Sequence, residues 1–137
     1  LRVDAGASIL IIGYGQFAGT GLEVAEKLAA AGLACTVADP AWCIPLSTEL
    51  IGLAREHETI VSIEDNLVIA GLGERLRARL AEEAPGTRVL AFGIEQEFLA
   101  QGTRGEVLEE LGLTSRHIAR RVLEKILQER RTVTQPA

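Results

Sequence analysis

The sequence predicts an α/β fold, a mainly parallel sheet between layers of helices. Three observations carry that reading. Short apolar runs rich in β-branched side chains alternate with amphipathic stretches of helical period. Glycine or proline closes most of the runs, at Gly13, Pro40 and Gly93. The order alternates strand and helix through four strands and then continues in helices alone, which calls for crossover connections and parallel strands.

The elements follow in order. Residues 1–4 precede the first core strand through a turn at Gly6 and are placed as an antiparallel edge strand. Residues 8–12 form a short buried strand stopped by Gly13-Tyr14-Gly15. Residues 20–31 read as a helix with Leu22, Ala25, Leu28 and Ala29 on its inner face and Gly32 as its C-cap. Residues 33–38 are a second strand, ended by Asp39-Pro40. After a loop, Ser47 caps a helix to Arg55 that turns Leu50, Ile51, Leu53 and Ala54 inward. Residues 59–63 make a third strand, and Glu64-Asp65-Asn66 is expected as an exposed polar turn. A helix over residues 72–83 is broken by Pro85-Gly86 and followed by a strand over residues 88–92. Residues 96–100 and 105–111 read as short helices, with Gly112 stopping the second. Thr114 or Ser115 caps a longer helix to about Glu129, with Ile118, Val122 and Ile126 along one stripe. The domain is expected over residues 1–131, with residues 132–137 as a disordered tail.

The 137 residues suit a single domain. A hydrophobic fraction of 47% and a charged fraction of 24% are those of a soluble globular chain. The net charge of −5 argues against nucleic-acid and membrane surfaces, which require basic patches. No apolar run reaches the ~20 residues of a membrane span. The opening Leu1-Arg2-Val3 is neither an initiator Met nor a signal peptide and reads as the start of a fragment. Cys35 and Cys43 lack a metal-ligand spacing and read as reduced thiols of a cytosolic protein.

Several constellations could carry chemistry. Gly13, Gly15 and Gly19 follow a strand and open a helix, the geometry in which backbone N–H groups hold a phosphate. Asp39, at the end of the second strand, lies where a ribose-binding acid would sit. The same glycines equally make a tight turn that lets helix and strand pack closely. Glu64 and Asp65 stand at the carboxyl end of a strand, where open sheets place their sites, but adjacent residues of a strand face apart. His57 reads as a cap on the preceding helix, and His117, among arginines, as a solvated side chain. The chain has three aspartates, at 4, 39 and 65, and none follows a glycine, so no Gly-Asp-Gly metal element is present.

The motifs taken together resemble the transketolase-type C-terminal domain of 1-deoxy-D-xylulose-5-phosphate synthases. The stretches are Leu10-Ile11-Ile12-Gly13-Tyr14-Gly15, Thr36-Val37-Ala38-Asp39-Pro40, Trp42 with Pro45-Leu46, His57, Ile63-Glu64-Asp65-Asn66, Phe92-Gly93-Ile94 with Glu97-Phe98, Gly102-Thr103-Arg104-Gly105-Glu106 and Leu111-Gly112-Leu113-Thr114. The chain departs from that pattern at Ala41, often basic in the family; at Ser47, usually an acid; at Ala70, usually glycine; and at Glu74, usually serine.

The resemblance implies a three-layer α/β/α fold whose five-stranded mixed sheet has four parallel strands and one antiparallel edge. It implies part of a cytoplasmic, homodimeric transferase that serves isoprenoid and thiamine precursor synthesis. That enzyme joins pyruvate and glyceraldehyde 3-phosphate with loss of carbon dioxide. Thiamine diphosphate and magnesium are held between its other domains. The domain itself then supplies no catalytic, cofactor or metal residue, is inactive alone, and serves structure and subunit contacts. Trp42, Ile44 and Leu46, apolar and outside any regular element, are the interface candidates. A free-standing interaction module of the same type and a dinucleotide-binding domain built on Gly13, Gly15 and Gly19 are the alternatives. The dinucleotide reading accounts for about thirty residues of the chain, and the family reading for nearly all of it.

Overall fold

A computed structural model of the chain describes residues 2–96, 99 and 101–134. Its strands are β1 (Arg2–Val3), β2 (Ile9–Gly13), β3 (Cys35–Ala38), β4 (Thr59–Leu67) and β5 (Arg88–Ile94). Its helices are α1 (Ala18–Ala30), α2 (Thr48–Arg55), α3 (Leu72–Glu83), α4 (Arg104–Glu110) and α5 (Ser115–Thr134), and a 3₁₀ turn over Gly15–Phe17 leads into α1. The strands form one five-stranded sheet in the order β1-β3-β2-β4-β5. β3, β2, β4 and β5 run parallel, and β1 pairs antiparallel with β3 at one edge.

The period of two along β2 builds both cores at once. Ile9 and Ile11 face one side, where they meet Val24, Ala25 and Leu28 of α1 and Ile118, Ala119 and Val122 of α5. Leu10 and Ile12 face the other, against Leu50, Ile51 and Ala54 of α2 and Leu72, Leu76 and Leu80 of α3. Each of these large side chains contributes about 2 kcal/mol when fully buried. A strand apolar on both faces is what a parallel sheet between helical layers requires.

The structure differs from the sequence expectation in one helix face and in several boundaries. The inner face of α1 is Gly21, Val24, Ala25 and Leu28, while Leu22 is 43% exposed and Ala29 is exposed. The cause is Gly21, which sits so near the sheet that a Cβ there would lie 3.4 Å from Ile11 Cγ2 and from Val37 Cγ1. Counting apolar residues gives glycine no weight and so rotates the face by one position. β4 does not end at Ile63 but runs through Glu64-Asp65-Asn66, so the expected polar turn is strand. Its pairing with β5 is irregular after Ile63 and resumes at Leu67 with Ile94. α5 continues to Thr134, past Glu129, taking in residues 132–134 of the expected tail. The short helix expected over residues 96–100 lies largely outside the described residues, and the described Gln96 and Leu99 are not helical.

The burial pattern separates Leu28 from Leu22 on α1. Leu28→Ala should lower unfolding free energy by about 2–5 kcal/mol. Leu22→Ala should change it by no more than about 0.5 kcal/mol. Urea denaturation of both variants is the measurement, and similar losses in the two would overturn this packing.

Candidate functional site

The strand order reverses between β2 and β4, and in open α/β sheets the crevice beyond the carboxyl ends of such a pair is where ligands sit. Here the crevice is closed by the chain itself. β2 ends at Gly13, and Tyr14 crosses to donate its backbone N–H to the Ile63 carbonyl of β4 at 3.1 Å. Gly15 takes φ +55° and begins the 3₁₀ turn, in which Phe17 N–H returns to the Tyr14 carbonyl at 3.1 Å. A Cβ on Gly13 would strike the Phe17 carbonyl. Gly13 and Gly15 are therefore accounted for by close backbone approach and turn geometry. Asp39, at the end of β3, is exposed.

Tyr14 is buried and points into the α2–α3 core, with its hydroxyl beside Ser62 but outside hydrogen-bonding geometry. Burial, and secondly the nearby Glu64, push its ionisation well above the ordinary phenol range. Cys35 is also buried, which raises its thiol pKa to about 11 and keeps it protonated and unreactive. Cys43 is exposed on the loop after β3.

Glu64 is the residue that sequence reasoning placed wrongly. It is fully buried, and its two oxygens accept the backbone N–H of Leu72 at 2.7 Å and of Gly73 at 2.9 Å. These are orphan donors of the first turn of α3, whose N-cap is Gly71 and has no side chain to offer them. The carboxylate of β4 thus replaces the missing cap. Glycine is needed on both sides of it: a Cβ on Gly71 would collide with both Glu64 oxygens, and one on Gly73 would lie 2.6 Å from Ala91 Cβ. Ala70, just before, has φ +60°, a conformation that favours glycine. Its N–H is held by Glu74 Oε2 at 2.7 Å. The available signal was a helix start, Gly71-Leu72-Gly73, with no Ser, Thr, Asp or Asn to cap it.

The remaining polar candidates serve the fold. Asp65 pairs with Arg104 at 2.8 Å and ties β4 to α4. His57 is buried, with Nδ1 at 2.8 Å from the Leu53 carbonyl and Nε2 at 2.9 Å from Thr36 Oγ1, so it caps α2 and bridges it to β3. His117 is not freely solvated: its side chain is 22% exposed, and Nδ1 lies 2.9 Å from Thr114 Oγ1. Among the described residues no group of three or more His, Cys, Asp or Glu is placed to hold a metal. No described helix is long and apolar enough to cross a membrane.

The outward-facing feature is the loop between β3 and α2. Trp42 is 76% exposed and Ile44 60%. Leu46 is half-buried and packs on the α2–α3 core, which anchors the loop. Ser47 Oγ then accepts Leu50 N–H at 3.1 Å and starts α2. A cleft of about 570 Å³ runs beside the loop, between Ile44, Pro45 and Leu46 on one wall and Arg75, Ala78 and Arg79 of α3 on the other.

Residues 1–118 match the family model described as the transketolase C-terminal domain. The chain belongs to that family. Its curated relatives include 1-deoxy-D-xylulose-5-phosphate synthases. The one from Clavibacter sepedonicus is 42% identical over 95% of this chain and 20% of its own length. The one from Frankia casuarinae is 40% identical over 91% of this chain and 19% of its own. This transketolase C-terminal domain therefore spans about one fifth of the length of the relatives it matches. Among solved structures, one described as a split-gene transketolase, an inactive β4 tetramer, superposes with a TM-score of 0.78 at 31% identity, over 90% of this chain and 41% of that one. Transketolase from Campylobacter jejuni superposes with a TM-score of 0.65 at 19% identity, over 90% of this chain and 18% of that one, and shares the fold. A domain of this family does not favour the dinucleotide reading of Gly13, Gly15 and Gly19.

The start of α3 yields a paired prediction. Glu64→Gln keeps the shape but turns an NH₂ toward a backbone N–H, and the orphaned donor should lower stability by about 1–3 kcal/mol. Ala70→Gly relieves the positive φ and should raise it by about 1 kcal/mol. Equilibrium urea unfolding measures both, and a neutral Glu64→Gln would show that the carboxylate is not the cap.

Proposed function

We propose that this domain works as the C-terminal part of a cytoplasmic, homodimeric 1-deoxy-D-xylulose-5-phosphate synthase. In that enzyme pyruvate and glyceraldehyde 3-phosphate are joined, with loss of carbon dioxide, on thiamine diphosphate held with magnesium. The role proposed for this domain is structural: it presents the loop of Trp42, Ile44 and Leu46 to the neighbouring domains and to the second subunit. The observation that carries the reading is the 76% exposure of Trp42 and 60% of Ile44 on a well-anchored loop beside a cleft. Exposed apolar side chains that are contiguous mark an interface, where isolated ones do not. The identity of 36–42% to synthases over 85–95% of the chain supplies the enzyme. A solved relative described as a β4 tetramer supports the expectation that chains carrying this domain associate.

The residues of this domain do not fit the cofactor. Among the described residues the one fully buried carboxylate, Glu64, has both oxygens committed to the α3 amides, and the Gly13 turn is closed on Phe17. The reading therefore leaves thiamine diphosphate and magnesium to the rest of the enzyme. Calorimetric titration of the 137-residue chain with both ligands should give no binding heat. A Kd below ~10 μM, about −7 kcal/mol, would overturn the reading.

Trp42 is the sole tryptophan, so its emission reports the interface directly. Raising protein concentration should shift that emission to the blue as the loop becomes covered. Ile44→Ser should move the transition to higher concentration, as read by sedimentation equilibrium. Emission independent of concentration in a chain that nevertheless associates would place the interface elsewhere.

A further inference from the structure

We propose that the free edge of β5 carries a binding site for a small oxyanion of the phosphate class. β5 is the last strand of the sheet, and a cleft of about 170 Å³ lies along its backbone from Val89 to Phe92. Three cations converge there from opposite layers. Arg77 comes from α3, on one face of the sheet, and Arg121 and Lys125 from α5, on the other. Arg121 and Lys125 are four apart on a helix and so share one face.

The charges at this cleft are unbalanced. The chain as a whole carries −5, yet no carboxylate lines the cleft. Neighbouring acids are engaged elsewhere: Glu74 with the Ala70 N–H at 2.7 Å, Glu124 with Arg120 at 3.8 Å, and Glu129 with Arg88. Arg121 lies over the Phe92 ring, 5.2 Å from its centroid, a contact that holds the guanidinium beside the cleft. Among the described residues neither Arg121 nor Lys125 has an ion-pair partner. Three like charges around one small cleft repel, and an oxyanion between them relieves that repulsion.

The strand adds a neutral donor. Arg88 N–H is turned inward to the Glu58 carbonyl at 2.9 Å, and the Val89 carbonyl is turned outward, where Arg77 Nη2 donates to it at 2.9 Å. Residues alternate between the two edges of a strand, each turning its N–H and its carbonyl the same way, so Ala91 N–H faces the free edge with its own carbonyl beside it. Two guanidinium forks, one ammonium and one amide are the donor set of a phosphate site. The occupant is a small anion and not an added strand, because Arg77 already holds the Val89 carbonyl, one of the outward carbonyls that a strand would need to pair with. The volume suits one phosphoryl group with bound water, at about 30 Å³ per water.

The test is titration of the isotopically labelled chain with inorganic phosphate, and separately with glycerol phosphate, at constant ionic strength made up with chloride. The amide of Ala91 and the Nε–H signals of Arg77 and Arg121 should shift saturably, and the tighter of the two ligands identifies the source of the phosphoryl group. Arg121→Gln with Lys125→Gln should weaken binding about tenfold or more. Arg116→Gln, on the same helix but paired with Glu109, should leave it unchanged. All three are exposed positions, so a dispersed spectrum will confirm that the variants fold. Shifts that fail to saturate, shifts reproduced by chloride alone, or equal affinity in the double variant would overturn the site and leave the cations as guards of an open sheet edge.

Discussion

The bond on which the carboxyl end of this sheet depends runs from Glu64 to the first amides of α3. A helix that starts on glycine has no side chain to satisfy its opening N–H groups, and burial removes water as a substitute. Glu64 supplies both acceptors from the neighbouring strand. The arrangement is reciprocal: the carboxylate fits because residue 71 has no Cβ, and glycine at residue 71 is tolerable because the carboxylate caps the helix for it. Gly73 then lets α3 approach Ser62 and Ala91 closely. Strand β4, helix α3 and strand β5 are thereby fixed against one another at a single point.

That point lies where an open α/β sheet has its ligand crevice. Tyr14, Ser62 and Glu64 fill the space with the protein's own side chains. The Gly13 turn presents the closed face of Phe17 and not a cradle of amides. A pattern of glycines shared with nucleotide-binding loops thus carries a different physical content, since what matters is whether the N–H groups after the strand remain free to face a ligand. Here the first of them, on Tyr14, is already bonded to Ile63.

The parts of the fold that rest on repeated local pattern were legible in the sequence. The apolar runs of β2 and β3, the span of α3, the Ser47 cap and the edge strand at Arg2–Val3 follow from periodicity and from single punctuating residues. What was not legible depends on closeness between segments distant in the chain. Gly21 belongs to the core because α1 lies against Ile11 and Val37, which no count of hydrophobic side chains registers. Glu64 looks like a solvated turn residue until α3 is placed over it. The cap role of His57 was readable from its position after α2, but its bridge to Thr36 required the neighbouring strand.

The departures from the family pattern acquire a common sense at the same sites. Ala70 stands where glycine is usual and sits at φ +60°, an unfavourable conformation for it. Glu74 stands where serine is usual, and its carboxylate reaches back to hold the Ala70 N–H. The strained residue and the added acceptor therefore meet in one bond. Ser47, in place of an acid, still accepts the N–H of Leu50, as an aspartate would. Ser47 and Glu74 each keep a backbone donor satisfied. These residues lie in the β3–α2 loop and at the start of α3. The buried polar side chains of Glu64 and His57 remain committed to holding the fold.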